Sequence, residues 1–189
     1  MRHDLTISGW RFALRPVEVE DAAFIVRLRT DPKLGRFIHP TSHRVEDQIA
    51  WIEAYLQRRG DYYFMIEDTR LGRPVGAISI YEMSGDGREA EWGRWVIEEG
   101  SLAAVESVAL MYRIAFEQLG VQEVYSRTVA DNAQVVSFHD SSGARRVGLR
   151  GQDNLGGVMY HMMEHRVDAA LWPELRPRLD TLARALASR

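Results

Sequence analysis

The sequence predicts a mixed α/β fold built on one largely antiparallel sheet with helices on both faces. Runs of strand-forming residues at 62–67, 74–81 and 90–97 are separated by short turns, which predicts a three-stranded antiparallel meander. A long amphipathic helical pattern at 103–119 then leads to another strand pattern at 121–129. Because a crossover helix joins parallel strands, we expect one parallel pair inside this sheet.

One strand and two helices are predicted before the meander. Residues 10–15 alternate apolar and polar side chains up to Pro16, which predicts a strand. Residues 21–29 and 45–58 carry apolar side chains at helical spacing, and a loop containing proline and glycine separates them. The N-terminal part therefore supplies a pair of helices to cover the sheet.

A short helix and a hairpin are predicted after the fifth strand. Residues 132–142 form the helical pattern, and Gly143 is suited to end it. Residues 145–150 and 158–164 read as two strands around a glycine-rich turn. The hairpin would complete the sheet beyond the parallel pair.

Composition predicts one main domain with a helical extension. The chain has 189 residues, of which 46% are hydrophobic and 27% charged, as in ordinary globular proteins. From Asp168 onward, leucines recur at helical spacing. We expect a single domain over residues 1–166 and a C-terminal helix over 167–189, packed on that domain or on a partner subunit; a homodimer is left open.

Charge and residue usage exclude several classes of function. The net charge is −3, with both signs interspersed, so neither nucleic acid nor a membrane is expected as partner. The chain has no cysteine, which excludes disulfides, thiolate metal sites and a cysteine nucleophile. His39, His43 and Glu46 match no standard zinc spacing, so no metal is expected. The first residues lack the apolar core of a signal peptide, and we expect a cytoplasmic protein.

Six segments between residues 10 and 164 resemble the GNAT superfamily of acyl-CoA N-acetyltransferases in order and spacing. They are LRPVEVEDA, RPVGAISI, AEWGRWVI, AFEQLGV, VADNAQVVSFHDSSGA and RRVGLRG. The likeness is greatest to the branch that acetylates ribosomal-protein N-termini, together with its relatives that act on amino sugars. AEWGRWVI and VVSFHDSSG are most similar to the bacterial aminosugar N-acetyltransferases of pseudaminic- and legionaminic-acid synthesis. The resemblance implies a GNAT-like sheet that splays between its fourth and fifth strands.

The resemblance also implies that acetyl-CoA, the acetyl donor, lies in that splay. In the family a bulge in the fourth strand frees backbone amides for the donor; the matching residues are Trp95, Val96 and Ile97. The pyrophosphate rests on the N-terminus of the next helix, where amides and the helix dipole favour negative charge. The residues there that allow close backbone approach are Gly100, Ser101 and Ala103, and Ser101 is suited to cap the helix.

Two further residues are assigned to the cofactor by position. Asn132, at the end of the fifth strand, would contact the pantetheine, although it is at least as well suited to cap the following helix. Phe138 lies in that helix, beside the expected path of the cofactor.

The pyrophosphate loop departs from the family pattern. In the family this loop is basic and rich in glycine, whereas residues 98–103 read EEGSLA and are acidic and shortened. Glu98 and Glu99 would repel a pyrophosphate unless they point away. A non-catalytic binding or regulatory protein on the same fold is therefore a rival hypothesis.

Acetyl transfer to an amine needs a group that removes a proton from the acceptor. Some relatives use a glutamate on the fifth strand, where this chain has Arg127, which cannot act as a base. Glu91 on the fourth strand is the remaining candidate; alternatively, it is a solvent-exposed strand carboxylate. His139 stands where many relatives place a tyrosine that acts as the acid; it would protonate the leaving thiolate, or alternatively only form a hydrogen bond to the cofactor or stack on it.

The acceptor pocket is expected beside the loop between the first two helices. Phe37 and His39 offer stacking for a sugar or nucleotide, Arg36 or Arg44 could hold a diphosphate, and Tyr81 faces the same pocket. The predicted function is direct transfer of an acetyl group to a primary amine of a small molecule, an amino sugar or a nucleotide-linked amino sugar. A protein N-terminus or an amino-acid-like amine is the alternative acceptor.

Overall fold

A computed structural model describes residues 3–189. Its strands are β1 (Ile7–Ser8), β2 (Phe12–Pro16), β3 (Tyr62–Asp68), β4 (Arg73–Tyr81), β5 (Glu89–Ile97), β6 (Glu123–Val129), β7 (Arg145–Leu155) and β8 (Val158–Asp168). Its α-helices are α1 (Ala22–Arg29), α2 (Val45–Tyr55), α3 (Ala104–Arg113), α4 (Ala133–Ser142) and α5 (Trp172–Ala187). A 3-10 turn over Val19–Asp21 precedes α1, and a π-helical turn over Ile114–Gln118 extends α3.

The eight strands form one sheet in the order β1-β2-β3-β4-β5-β6-β8-β7. All neighbouring strands are antiparallel except β5 and β6, which the crossover helix α3 joins in parallel. The predicted mixed α/β class, with a mostly antiparallel sheet and one parallel pair, is therefore confirmed.

Helices cover both faces of the sheet, as predicted. On one face α3 and α5 pack on strand residues such as Phe12 and Phe64. On the other face α1 and α2 pack on β3 and β4, with Ile25 and Ile52 fully buried. Two separate hydrophobic clusters thus hold the sheet between two layers of helix.

The terminal helix α5 is amphipathic, but its buried face differs from the predicted leucine stripe. Trp172, Leu175 and Leu179 join the core beneath α3, whereas Leu182 is 44% exposed. Ala183 and Ala187 take the buried positions at the C-terminal end of the helix, where they are 2% and 4% exposed. The division of the chain into residues 1–166 and 167–189 stays a prediction. Within residues 3–189, no helix has the length and apolarity needed to span a bilayer.

The last hairpin is longer than predicted. Strands β7 and β8 continue to Leu155 and Val158, and only Gly156 and Gly157 remain in the turn. The predicted turn over residues 151–157 is wrong because residues 151–155 continue β7, with Gly151 at one of the two irregularities in its register. Gly148 and Gly151 have φ values of 117° and 71°, which a glycine adopts without strain.

Strands β5 and β6 separate soon after they meet. Their parallel register comprises only Glu89 with Glu123, Ala90 with Val124, and Glu91 with Tyr125. On its other edge, β5 shifts register against β4 between Ala77 and Ser79, and Arg94 at this bulge has a φ of 48°. The predicted splay and the predicted bulge are therefore both present in β5.

Candidate active site

A cavity of about 1130 Å³ opens where β5 and β6 part. Strands β3 to β8, helices α2 and α4, the end of α1 and the loop before α2 supply its walls. The predicted site residues that line it are Glu91, Trp95, Asn132, His139, His39 and Tyr81. The predicted site residues outside its lining are Val96, Ile97, Gly100, Ser101, Ala103, Phe138 and Arg36.

Glu91 is a buried carboxylate at the point where the two strands part. It is 7% exposed, so the interpretation as a solvent-exposed strand carboxylate is wrong. The Tyr81 hydroxyl donates a hydrogen bond to Glu91 Oε1 at 3.1 Å, and Arg127 Nη1 lies 3.4 Å from Oε2. Burial raises the pKa of Glu91 to about 7, against the lowering effects of Arg127 and Tyr81. A carboxylate with this pKa is suited to accept a proton near neutral pH.

Arg127 links Glu91 to a second buried carboxylate that the sequence did not reveal. Arg127 Nε lies 3.6 Å from Glu164 Oε2, and Glu164 is 4% exposed. Arg127 on β6 stands directly opposite Glu164 on β8. The two residues are neighbours only because β6 and β8 pair in the folded sheet, and no sequence motif predicts this contact.

The open edge of β5 presents backbone amides to the cavity side. The amide of Glu98 donates to the Val75 carbonyl at 2.8 Å, and Val96 is in register with Ala77. Because amide directions alternate along a regular strand, the Val96 amide also points to β4, and that of Ile97 points to the edge that β6 has left. Trp95 lies in the bulge beside Arg94, where this alternation does not apply.

The acidic loop before α3 is neutralised by neighbouring cations. Arg73 Nη1 lies 2.6 Å from Glu98 Oε2, and Arg27 Nη1 lies 3.1 Å from Glu98 Oε1. These guanidinium contacts lower the pKa of Glu98. Lys33 pairs with Glu99 at 3.1 Å on the exposed surface. Three cations therefore surround two carboxylates, and the loop does not present the unbalanced negative charge that its sequence predicts.

Helix α3 begins one residue later than predicted, at Ala104. Ser101 is not its N-cap; the Ser101 hydroxyl instead accepts a hydrogen bond from the Ala103 amide at 3.3 Å. The Ala103 side chain is fully buried in the core, so it offers no surface to a cofactor. The first intrahelical bond runs from the Ser107 amide to the Ala103 carbonyl. The amides of residues 104–106 precede that bond and have no intrahelical partner, which suits an anion.

Helix α4 supplies two of the predicted cofactor residues. Asn132 Oδ1 accepts a hydrogen bond from the Val135 amide at 3.4 Å, so Asn132 is the N-cap, and it lines the cavity as well. Phe138 packs on Trp95 with ring centroids 4.9 Å apart and supports the cavity wall from behind. Trp95 Nε1 in turn donates to the Ser107 hydroxyl at 3.3 Å.

His139 is buried in an apolar and aromatic environment. Its ring is 5.1 Å from the Trp92 ring and stacks on His165 at 4.9 Å. Only 2% of the residue is exposed, and burial lowers the pKa of His139 to about 3, with a further lowering from His165. An imidazole in this position is uncharged at neutral pH, which argues against the predicted imidazolium acid and favours a structural histidine of the wall.

Tyr81 stands in an aromatic and cationic wall that the sequence did not reveal. The Arg94 guanidinium lies 4.3 Å from the Tyr81 ring centroid and 5.4 Å from that of Trp51. Arg94 also makes a two-pronged ion pair with Asp61, at 2.6 and 3.0 Å. The wall forms because the bulge at Arg94 directs this side chain over Trp51 and Tyr81, which are distant from it in the sequence.

The loop before α2 brings His39 but not Arg36 to the cavity. His39 Nε2 lies 3.2 Å from Asp153 Oδ2 on β7, which ties the loop to the opposite wall. The Arg36 guanidinium rests on Phe37 at 4.8 Å and does not line the cavity. Across the described part of the chain, no group of three or more metal-ligating side chains is arranged to hold a metal ion.

Solved structures similar to this one are acetyltransferases. One is FdhC, described as a nucleotide-linked sugar GNAT, with 27% identity, 97% of this chain and 99% of FdhC covered, and a TM-score of 0.80. A GCN5-related N-acetyltransferase from Brucella melitensis shares 16% identity over 95% of this chain and 85% of its own, with a TM-score of 0.83. The spermidine N-acetyltransferase from Vibrio cholerae, solved with CoA and spermine, shares 15% identity over 86% of this chain and 98% of its own, with a TM-score of 0.77. The last two show the fold alone.

The family assignment rests on the sequence as well as on the fold. No curated protein matches the sequence. The model of the acetyltransferase (GNAT) domain matches residues 11–145, which is more than half of the chain. The chain therefore belongs to the GNAT acetyltransferase family and is an acyltransferase that moves an acetyl group from acetyl-CoA to an amine.

Proposed function

We propose that the protein acetylates a nucleotide-linked amino sugar, with Glu91 as the general base. The observation that carries the role of Glu91 is its position: a buried carboxylate with a pKa of about 7 lies where β5 and β6 part. The likeness to FdhC over nearly the whole of both chains supports the class of acceptor.

The residues around the splay fit acetyl-CoA. The open edge of β5 offers the amide of Ile97, to which the family resemblance adds that of Trp95, and the start of α3 offers the amides of residues 104–106. The cations that neutralise Glu98 and Glu99 remove the electrostatic objection to a pyrophosphate at this loop. The hypothesis of a non-catalytic protein rested on the negative charge of this loop, and these ion pairs neutralise that charge.

Acetyl-CoA would supply the thioester: the acceptor amine would form a C–N bond to the carbonyl carbon, and the C–S bond would break to release CoA as its thiolate. Glu91 accepts the proton that the ammonium form of the acceptor must lose. The Tyr81 hydroxyl fixes one carboxylate oxygen of Glu91, and Arg127 stabilises the ionised form. The amides of Trp95 and Ile97 stabilise the negative charge that develops on the carbonyl oxygen.

A panel of acceptors tests the proposal. The purified protein is incubated with acetyl-CoA and UDP- or dTDP-linked amino sugars, free glucosamine, spermidine, or peptides with a free N-terminus, and CoA release is measured. We expect the highest kcat/KM with a nucleotide-linked amino sugar. A higher kcat/KM with spermidine or with a peptide would replace the proposed acceptor, and no CoA release with any amine would contradict the proposal as a whole.

Removal of the cations beside the loop is expected to weaken the use of acetyl-CoA. In the double variant Arg27→Ala/Arg73→Ala, the Glu98 carboxylate loses both partners and stands uncompensated near the start of α3. We expect the KM for acetyl-CoA to rise about tenfold, which corresponds to roughly 1.4 kcal/mol. Steady-state kinetics at a saturating concentration of the acceptor measure the KM for acetyl-CoA.

The controls for this variant are present in the same loop. Lys33→Ala removes an ion pair whose side chains are 78% and 76% exposed, and we expect a change of about twofold or less. Addition of Glu98→Gln to the double variant removes the uncompensated charge and should recover most of the lost affinity. An unchanged KM in the double variant would show that Glu98 does not face the cofactor.

His139→Phe is expected to leave kcat within about tenfold of wild type, because a neutral imidazole does not serve as the acid.

The effect of the His139→Phe substitution on the free energy of unfolding depends on pH. The folded pKa of His139, about 3, lies below its ordinary value of 6.5, so the unfolded chain binds the extra proton and the folded protein loses stability as pH falls below 6.5.

Urea unfolding at pH 7 and pH 4.5 measures this effect. From pH 7 to pH 4.5, we expect the free energy of unfolding to fall by on the order of 2 kcal/mol more in wild type than in the His139→Phe variant. Equal losses in the two proteins would mean that His139 is not held in its neutral form.

A further inference from the structure

Arg29, the last residue of α1, is a partly buried cation in the cavity wall that has no carboxylate partner in the described part of the chain. Its Nε donates to the Thr41 hydroxyl at 2.7 Å, and its Nη2 donates to the His39 carbonyl at 3.2 Å. Both acceptors are neutral oxygens of the loop before α2. Among residues 3–189, no aspartate or glutamate oxygen lies within ion-pair distance of this guanidinium.

The other cavity arginines are either paired or exposed. Arg58 and Arg94 share the buried carboxylate of Asp61, and Arg127 lies between two glutamates. Arg150 lines the cavity without a carboxylate partner in the described part of the chain, but its residue is exposed to solvent. Arg29 differs from all of them because it is partly buried and has no counter-charge among the described residues.

Burial of an unpaired guanidinium is unfavourable, since it loses hydration without gaining a counter-ion. Burial lowers the pKa of Arg29, and the nearby positive charge of Arg94 lowers it further. The fold holds this cation in place through the loop oxygens, so its remaining N–H groups are available on the cavity side. A ligand with an anionic group would supply the missing charge.

The surroundings of Arg29 indicate what kind of ligand carries that anion. The aromatic faces of Trp51 and Tyr81 lie beside Arg94 in the same wall. The Tyr81 hydroxyl contacts Glu91, so one continuous wall runs from the carboxylate to the cations. An acceptor that places its amine at Glu91 and an oxyanion at Arg29 would lie along this wall, where the Arg94 guanidinium lies over the Trp51 and Tyr81 rings.

We propose that Arg29 binds an oxyanion of the acceptor, such as the diphosphate of a nucleotide-linked sugar, while the amine of the acceptor lies at Glu91. This inference rests on the proposed function and adds to it a residue that determines specificity. It moves the diphosphate contact from Arg36 and Arg44, which do not line the cavity, to Arg29. A polycation such as spermidine would gain nothing from this site.

Calorimetric titration of UDP and of glucuronate into the protein without acetyl-CoA tests the oxyanion site directly. We expect UDP to bind wild type and Arg29→Gln to weaken that binding by about tenfold or more, with partial recovery in Arg29→Lys. The matched control is Arg36→Gln, an exposed arginine of the neighbouring loop, which should leave UDP affinity unchanged. Glucuronate binding with the same dependence on Arg29, in the absence of UDP binding, would identify the oxyanion as a carboxylate.

Thermal unfolding of each variant accompanies the titrations. Because Arg29→Gln removes an unpaired charge, we expect its Tm to stay at or above that of wild type, so a loss of binding is not a loss of fold. Equal UDP affinity in wild type and Arg29→Gln, or no binding of either ligand to wild type, would overturn the inference. These outcomes do not depend on acetyl transfer: UDP binding that requires Arg29 can stand when every amine fails as an acceptor, and acetyl transfer can stand when Arg29 has no effect.

Discussion

Replacement of Glu91 by glutamine is expected to lower kcat by about 10²- to 10⁴-fold, which is the range of general acid–base catalysis. The substitution keeps the size of the side chain and an acceptor for the Tyr81 hydroxyl, but it removes the group that takes the proton. In wild type, the pKa of about 7 predicts that kcat/KM rises with pH until Glu91 is ionised. The variant should lose this rise, and pH–rate profiles of the two proteins measure the difference.

The control for this variant lies on the same strand. Glu89 is also a β5 glutamate, but its side chain is 51% exposed. We expect Glu89→Gln to retain kcat within about twofold, since exposed carboxylates contribute little. Loss of activity in both variants would point to general damage of β5, and full activity of Glu91→Gln would contradict the assignment of the base.

The Glu91→Gln variant is also expected to differ from wild type in how its stability depends on pH. The folded pKa of Glu91 lies above its ordinary value of 4.5, so folding favours the protonated form and stability falls as pH rises from 4.5 to 7. Glu91→Gln should remove this loss, which is on the order of 2 kcal/mol. Denaturant unfolding at pH 5 and pH 8 should show the variant gaining relative to wild type at the higher pH.

Gly76→Ala is expected to destabilise the fold by about 2–3 kcal/mol and to lower Tm by roughly 5–10 °C. A Cβ at this position would lie 2.6 Å from the Val96 carbonyl oxygen and 3.1 Å from Ile66 Cδ1. The backbone oxygen belongs to the β4–β5 ladder beside the bulge, so it cannot move away without changing that register. Thermal unfolding measures the loss, and acetyl-CoA binding should weaken with it because the freed amides of β5 would shift.

Gly85→Ala is the matched substitution in an open turn. A Cβ there meets no atom within 4 Å, and we expect a change within about 0.5 kcal/mol. Equal stability of the two variants would show that β4 and β5 tolerate a wider spacing than the structure has.

The order of elements could be predicted because each long element carries its own periodicity. The strands before α3 and the crossover helix itself follow from local pattern and turn residues. The hairpin of β7 and β8 could not be bounded in this way, because Gly151 lies at a bulge inside a strand and resembles a turn glycine in the sequence. Short β1 also escaped prediction, since two residues are too few for a period.

The site was predictable only where a residue's own strand or helix positions it. The position of Glu91 follows from the resemblance and from strand alternation. The charge state of His139 does not, because His165 and Trp92 enclose it only after folding. Arg29 reads in the sequence as an ordinary cation at a helix C-terminus, and the pairing of Glu98 with Arg27 and Arg73 joins segments that are far apart in the chain.

Because β5 and β6 share only three residue pairs, the sheet consists of two antiparallel halves that are joined over a short length. Glu91 belongs to the last of these pairs and is in register with Tyr81 on one side and Tyr125 on the other. The base therefore stands on backbone that is paired on both sides, at the edge of an opening whose walls are formed by unpaired strand edges.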